Sequence, residues 1–171
     1  MKKIIFYLFL FSIAGISGCI KNDLVTWQGS QVEFDAATWN ANSAGVTYPI
    51  VTRVPVYGGA ISTSNSPVLL TRTTGSFQLR VNLVGAQRSS DATFTYHVVT
   101  GESTAVQGTH YATFSGTGTI PANTSFGYIT INILDPGATS GSKILVLGLT
   151  DNENFKANTN YAKIGLSIAQ N

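Results

Sequence analysis

With a single cysteine among 171 residues, the chain has no second thiol with which to close an internal disulfide, so its core must hold the fold. Its length is that of one β-sandwich-sized domain with enough chain to bury such a core. Charge is scarce as well: Asp, Glu, Lys and Arg make up 11% of residues. The basic residues after the leader, from Lys21 to Lys163, are scattered and form no stripe with interleaved aromatics, which excludes a nucleic-acid surface. No apolar run reaches the roughly 20 residues of a spanning helix. Neither Gly-x-Ser-x-Gly nor His-Glu-x-x-His occurs, and the two histidines, His97 and His110, have no motif joining them to a nucleophile or to an acid. Paired carboxylates brought together by loops stay open on spacing alone, but no pattern joins the eight acids. The reading is therefore non-enzymatic.

What is present begins with the leader. Lys2 and Lys3 precede an apolar stretch from Ile4 to Ile16, and small residues Ser17-Gly18 stand before Cys19. Residues 1–18 read as a lipoprotein signal peptide, because the small residues enter a narrow peptidase cleft and the thiol behind them is the nucleophile that takes a diacylglyceryl group. The pattern resembles the lipobox of exported bacterial lipoproteins, with Ile16 in place of the usual Leu. Cys19 is thus the expected lipid-attachment residue, carrying a fatty acid of the palmitate type and needing no other cofactor. Residues 19–31 read as a lipidated tether and 32–171 as the folded domain. Loss of Lys2 and Lys3 with the leader reduces ten basic residues to eight, facing eight acids, so the mature chain is formally neutral and its basic character belongs to the leader. Ile20-Lys21-Asn22-Asp23 lacks both the aspartate directly after the cysteine that marks inner-membrane retention and the acidic cluster associated with surface export. Outer membrane is the expected location, with the facing direction open.

Side-chain alternation then sets the fold class as all-β. Phe77, Leu79, Val81 and Leu83 share one face of a strand; Phe94, Tyr96 and Val98 share another, with Thr95 and His97 outward. Ile129, Ile131 and Ile133 repeat the pattern within Tyr128 to Leu134, as do Ala162, Ile164, Leu166 and Ile168 within Tyr161 to Ile168. Ile144 to Leu149 is apolar on both faces, as in a central strand. Turn residues separate these runs at Gly85 to Asp91, Gly101 to Gly108, Pro121-Ala122-Asn123 and Asp135-Pro136-Gly137. Such spacing predicts an antiparallel sandwich. Val32-Glu33-Phe34 and Thr52 to Tyr57 offer earlier strands, and Asp35-Ala36-Ala37-Thr38 offers the cap of a short turn.

From about residue 77 to 168 the order of features resembles a Calx-beta repeat, an immunoglobulin-like sandwich. The carriers are Gly108-Thr109-His110-Tyr111, where the family has Gly-x-Asp-Tyr, and Ile120-Pro121-Ala122-Asn123, where it has an apolar residue and Pro-Ala-Gly. An alternating strand ending in Asp135 and an apolar strand running into Leu149-Thr150-Asp151 complete the series. The whole chain, with Val32-Glu33-Phe34 and the segment Trp39 to Pro55, is also similar to a lipoprotein family of Bacteroidetes encoded near outer-membrane nutrient-uptake receptors. The Calx-beta resemblance implies calcium, yet this ion takes six to eight oxygens, several from carboxylates. His110 replaces the aspartate of the first signature, Asp135 stands alone before Pro136, and Ser140-Gly141-Ser142-Lys143 replaces an acidic loop. No calcium site and no other metal site is expected, and Asp151-Asn152-Glu153-Asn154 reads as a solvated hairpin loop.

Trp27, Trp39, Tyr48 and Tyr57 lie among Gly, Ser, Asn and Pro before residue 75. They are either aromatics that close the end of the sandwich or candidate glycan contacts, since flat rings stack on sugar faces. Two functions follow. One is an accessory or scaffold lipoprotein that binds a protein partner in a cell-envelope assembly, such as a nutrient-uptake receptor. The alternative is a glycan-binding or adhesion lipoprotein.

Overall fold

The computed structural model describes residues 29–62 and 68–171. The leader, Cys19 and Trp27 lie outside the described residues. In chain order the elements are β1 (Gln31–Phe34), helix α1 (Asp35–Trp39), β2 (Ile50–Val51), β3 (Ser76–Val84), β4 (Ala92–Val98), β5 (Thr117–Ile120), β6 (Phe126–Asn132), β7 (Ser142–Thr150), β8 (Lys156–Ala157) and β9 (Lys163–Ala169). They build an all-β, immunoglobulin-like sandwich of a four-stranded sheet, ordered β6-β3-β1-β8, and a five-stranded sheet, ordered β2-β9-β7-β4-β5. Pairing is antiparallel except at the two-residue strands β8 and β2, which run parallel to β1 and β9.

The alternation places the core. Leu79, Val81 and Leu83 of β3, Ile129 and Ile131 of β6, Phe94 and Tyr96 of β4, and Ile164, Leu166 and Ile168 of β9 are all buried between the sheets. β7 has β9 on one side and β4 on the other, and its residues Leu145 to Leu149 are buried on both faces. A strand covered on two sides has no position for a polar side chain, which is why this run is continuously apolar.

Three segments depart from the reading of the sequence. Thr52 to Tyr57 is not a strand. Pairing there is limited to Ile50–Val51 and one bridge between Arg53 and Leu69, because Pro55 has no N–H to donate and a turn follows at Tyr57-Gly58. Asp35 begins α1 but does not cap it, its carboxylate being turned to Arg80, Asn82 and Gly58. Gln31, read as tether, already pairs with Val84 in β1.

One corner of the sandwich depends on two glycines. β5 and β6 are edge strands of opposite sheets, joined by the Pro121–Ser125 turn. A Cβ on Gly127 would strike the Thr119 carbonyl oxygen, and one on Gly118 would strike the Phe94 ring. Absent side chains let the two edges close over that ring.

Candidate functional site

The outward face of the four-stranded sheet gathers the densest set of unlike side chains. Residues 78, 80 and 82 of β3 point away from the core, as do Phe126 and Tyr128 of β6 and Glu33 of β1. The register sets Asn82 between Phe126 and Glu33, and Arg80 beside Tyr128. The loop after β2 brings Tyr57 over this face, where its hydroxyl donates to the Gln78 carbonyl at 3.0 Å. Tyr57 packs edge-on to Tyr128 at 5.4 Å between centroids, and Tyr128 packs edge-on to Phe126 at 5.8 Å. The Arg80 guanidinium lies 5.4 Å from the Tyr57 ring centre and 5.2 Å from that of Phe126. Tyr57 and Phe126 nevertheless stay 43% and 39% exposed, so ring surface faces solvent on a face that is otherwise polar.

Two carboxyls adjoin Asn82 on this face in different states. Asp35 is buried, and its oxygens accept from Arg80 at 2.8 Å, Asn82 at 2.9 Å and the Gly58 N–H at 2.9 Å. Burial pushes its pKa up, but these donors outweigh burial and hold it below the usual carboxylate range. Glu33 is half-buried and accepts from the Asn158 side chain at 2.7 Å, with Asn82 on its other side. Burial, joined by repulsion from Asp35, raises its pKa despite the two amides. Carboxyls pushed apart in this way are the pattern of an acid–base pair. Here Asp35 has a side chain only 3% exposed and every oxygen engaged, so it cannot reach a substrate.

The expected aromatic contacts divide. Trp39 and Tyr57 are exposed, and only Tyr57 joins the face just described. Tyr48 is corrected: it is 4% exposed, its ring lies against Lys163, and burial followed by the Glu102 carboxylate pushes its hydroxyl pKa up to about 12. A ring so covered has no face for a sugar. The adjoining groove of about 350 Å³ is lined by Tyr48, Glu102 and Lys163, whose charges are already paired at 2.6 Å. Phe126, Tyr128, Arg80 and Asn82 were not singled out from the sequence. The available signal was parity, since Tyr128 falls out of phase with Ile129, Ile131 and Ile133.

Both histidines serve local structure. His97 meets the Thr150 hydroxyl at 2.9 Å, and the buried His110 accepts the Val106 N–H at 3.0 Å through Nδ1. Asn152 holds its own loop by bonding Thr93, Thr95, Asn154 and Phe155, while Asp151 takes Lys156 and the Ala157 N–H. At the opposite loop, both Asp135 oxygens lie 2.6 Å from Arg72 Nη1, and one accepts the Gly137 N–H at 2.9 Å. Asp135 is held below the usual carboxylate range chiefly by that arginine.

No protein-family model and no curated protein matches the chain. Solved structures do. The calcium binding domain CBD12 of CALX1.1 matches with a TM-score of 0.50 and 19% identity, over 58% of this chain and 40% of that one. CBD12 from CALX1.2 gives 0.49 and 19%, over 58% and 39%, and the apo-form Calx CBD1 domain gives 0.47 and 19%, over 58% and 87%. The chain spans about two fifths of the two CBD12 structures. The likeness shows a Calx-beta-like fold. Among the described residues Asp135 is paired with the Arg72 guanidinium, and no group of three or more His, Cys, Asp or Glu is placed to hold a metal.

Proposed function

We propose that this chain is a non-enzymatic lipoprotein, held at the outer membrane through lipid on Cys19, whose sandwich is an accessory binding module of a cell-envelope assembly such as a nutrient-uptake receptor. The observation that carries the binding role is the outward face of the four-stranded sheet. It is built on paired strands and holds two partly exposed rings in place, Tyr57 by its hydroxyl on Gln78 and Phe126 against Tyr128. Side chains fixed on strands by neighbouring contacts bind without first being ordered, which is what a recognition surface needs. The anchor is supported by the order of the leader: basic residues, apolar stretch, small pair, then cysteine.

The test is to crosslink the tagged full chain in its native cells and purify it from detergent-solubilised outer membrane. The expected result is recovery in that fraction with an outer-membrane protein in fixed ratio, and release to the soluble fraction on Cys19→Ala. A wild-type protein found soluble, or recovered alone after crosslinking, overturns the reading.

A further inference from the structure

We propose that the outward face of the four-stranded sheet binds a neutral oligosaccharide, with Tyr57 and Phe126 stacking on apolar faces of its sugar rings and Glu33, between Asn82 and Asn158, accepting hydrogen bonds from its hydroxyls. This rests on the binding role given above and names the ligand class of that surface.

Charge and hydrogen-bonding capacity decide among ligands. Among the described residues no cation pairs with Glu33, whose partners are the side-chain amides of Asn158 and Asn82. Its oxygens keep acceptor capacity, since an ionised carboxylate has about four lone-pair sites. A half-buried lone carboxylate repels an anionic ligand and calls for donors. Arg80 does not reverse this, because Asp35 neutralises it from below. Arg80 already lies over the Tyr57 and Phe126 rings, which still leave 43% and 39% of their residues' surface exposed. What remains is a ligand with apolar faces for the rings and uncharged donors for Glu33, and a short chain of pyranoses supplies both.

Scale favours the same answer. The row runs from Phe126 on β6 across β3 and β1 to Asn158 beyond β8, about 14 Å at three strand spacings. That length suits a short oligosaccharide lying across the strands. Tyr57 is pinned by its hydrogen bond to Gln78 and its edge contact with Tyr128, so its ring is oriented before any ligand arrives.

The experiment uses the detergent-purified full-length lipoprotein on an array of neutral gluco-, manno-, galacto- and xylo-oligosaccharides with sulfated and uronic-acid counterparts, followed by calorimetric titration of the best neutral probe. Binding to a neutral probe is expected. Tyr57→Leu and Phe126→Leu, which keep apolar bulk but lose the ring, are each expected to weaken it about tenfold. Glu33→Gln, which keeps shape but loses acceptor charge, is expected to weaken it by a similar factor, about tenfold. Val106→Ala, at an exposed residue of another loop, is the control that leaves affinity unchanged. Melting curves identify any variant that fails to fold, and in that case Tyr57→Phe, lacking only the hydroxyl that pins the ring, is titrated instead and is expected to bind more weakly.

No neutral binding, binding to acidic probes alone, or neutral binding indifferent to Tyr57, Phe126 and Glu33 overturns the inference. Capture of only a protein through Tyr57 overturns it as well. If the crosslinked outer-membrane partner is still recovered in those cases, the accessory role stands and the saccharide alone is lost.

Discussion

Asn123 is the one non-glycine with positive φ among the described residues, at 58°, and its N–H donates to the Arg88 carbonyl at 2.7 Å. Asparagine tolerates that left-handed conformation better than other side chains with a Cβ. Asn123→Gly is therefore expected to fold with nearly unchanged stability, and Asn123→Ala to lose about 1 kcal/mol in urea denaturation. Arg80 faces a harsher rule. Arg80→Met leaves Asp35 buried without its cation and is expected to cost about 3 kcal/mol. Because the folded-state pKa of Asp35 is depressed, its contribution is complete above the ordinary carboxyl pKa and is lost as pH falls through the folded value. Glu33 has the opposite sign. Its raised pKa means that the fold holds a proton longer than the unfolded chain does, so stability declines as pH rises from the ordinary value through the folded one. Glu33→Gln is expected to be more stable than wild type at pH 7 and equal to it near pH 3, measured by urea denaturation at both. An advantage that persists at pH 3 would place the effect in packing and not in charge.

At the scale of elements, the corner between β5 and β6 gives the sharpest expectation. Gly127→Ala places a methyl against the Thr119 backbone, which cannot swing away, and is expected to cost about 1–3 kcal/mol. Gly118→Ala meets the buried Phe94 ring instead, and a similar loss is expected from thermal or urea unfolding. Gly101→Ala, with nothing within 4 Å, is the comparison that costs little. The same elements indicate what a sequence makes legible. β3, β4, β6, β7 and β9 announce themselves because seven or more residues give alternation several cycles to repeat. β2 and β8 have two residues each and no period at all, while β5 reads Thr-Gly-Thr-Ile, too short and too polar on its outward side. The site was legible only as parity. Arg80 and Asn82 followed from the phase of β3, but Phe126 lay ahead of the strand as the sequence suggested it, and nothing local joined Tyr57 to β3. Tyr48 and Tyr57 look alike in the chain. Their fates differ because Lys163 and Glu102 cover the first, from segments far away in sequence, and the second lies over the open sheet.

For the whole molecule, the pairing of Arg72 with Asp135 makes calcium an expected non-participant. A site with a micromolar dissociation constant would add about 4 kcal/mol at thousandfold excess, equivalent to about 8–16 °C in a domain of this size. Addition of millimolar calcium is expected to move the melting temperature by less than about 1 °C, read in a chelator-stripped sample. Apart from Lys2 and Lys3 the chain carries eight basic and eight acidic residues, so its net charge gives no general attraction to anionic membrane surfaces. Chain order also carries a mechanical consequence. Residues 29 and 30 lead into β1, an inner strand bonded to β3 on one side and β8 on the other. Those bonds lie across the strand, so tension along the leading segment loads them together in shear and does not peel them one after another. The strand that receives such a pull is the one that carries Glu33, and it is bonded along both of its edges.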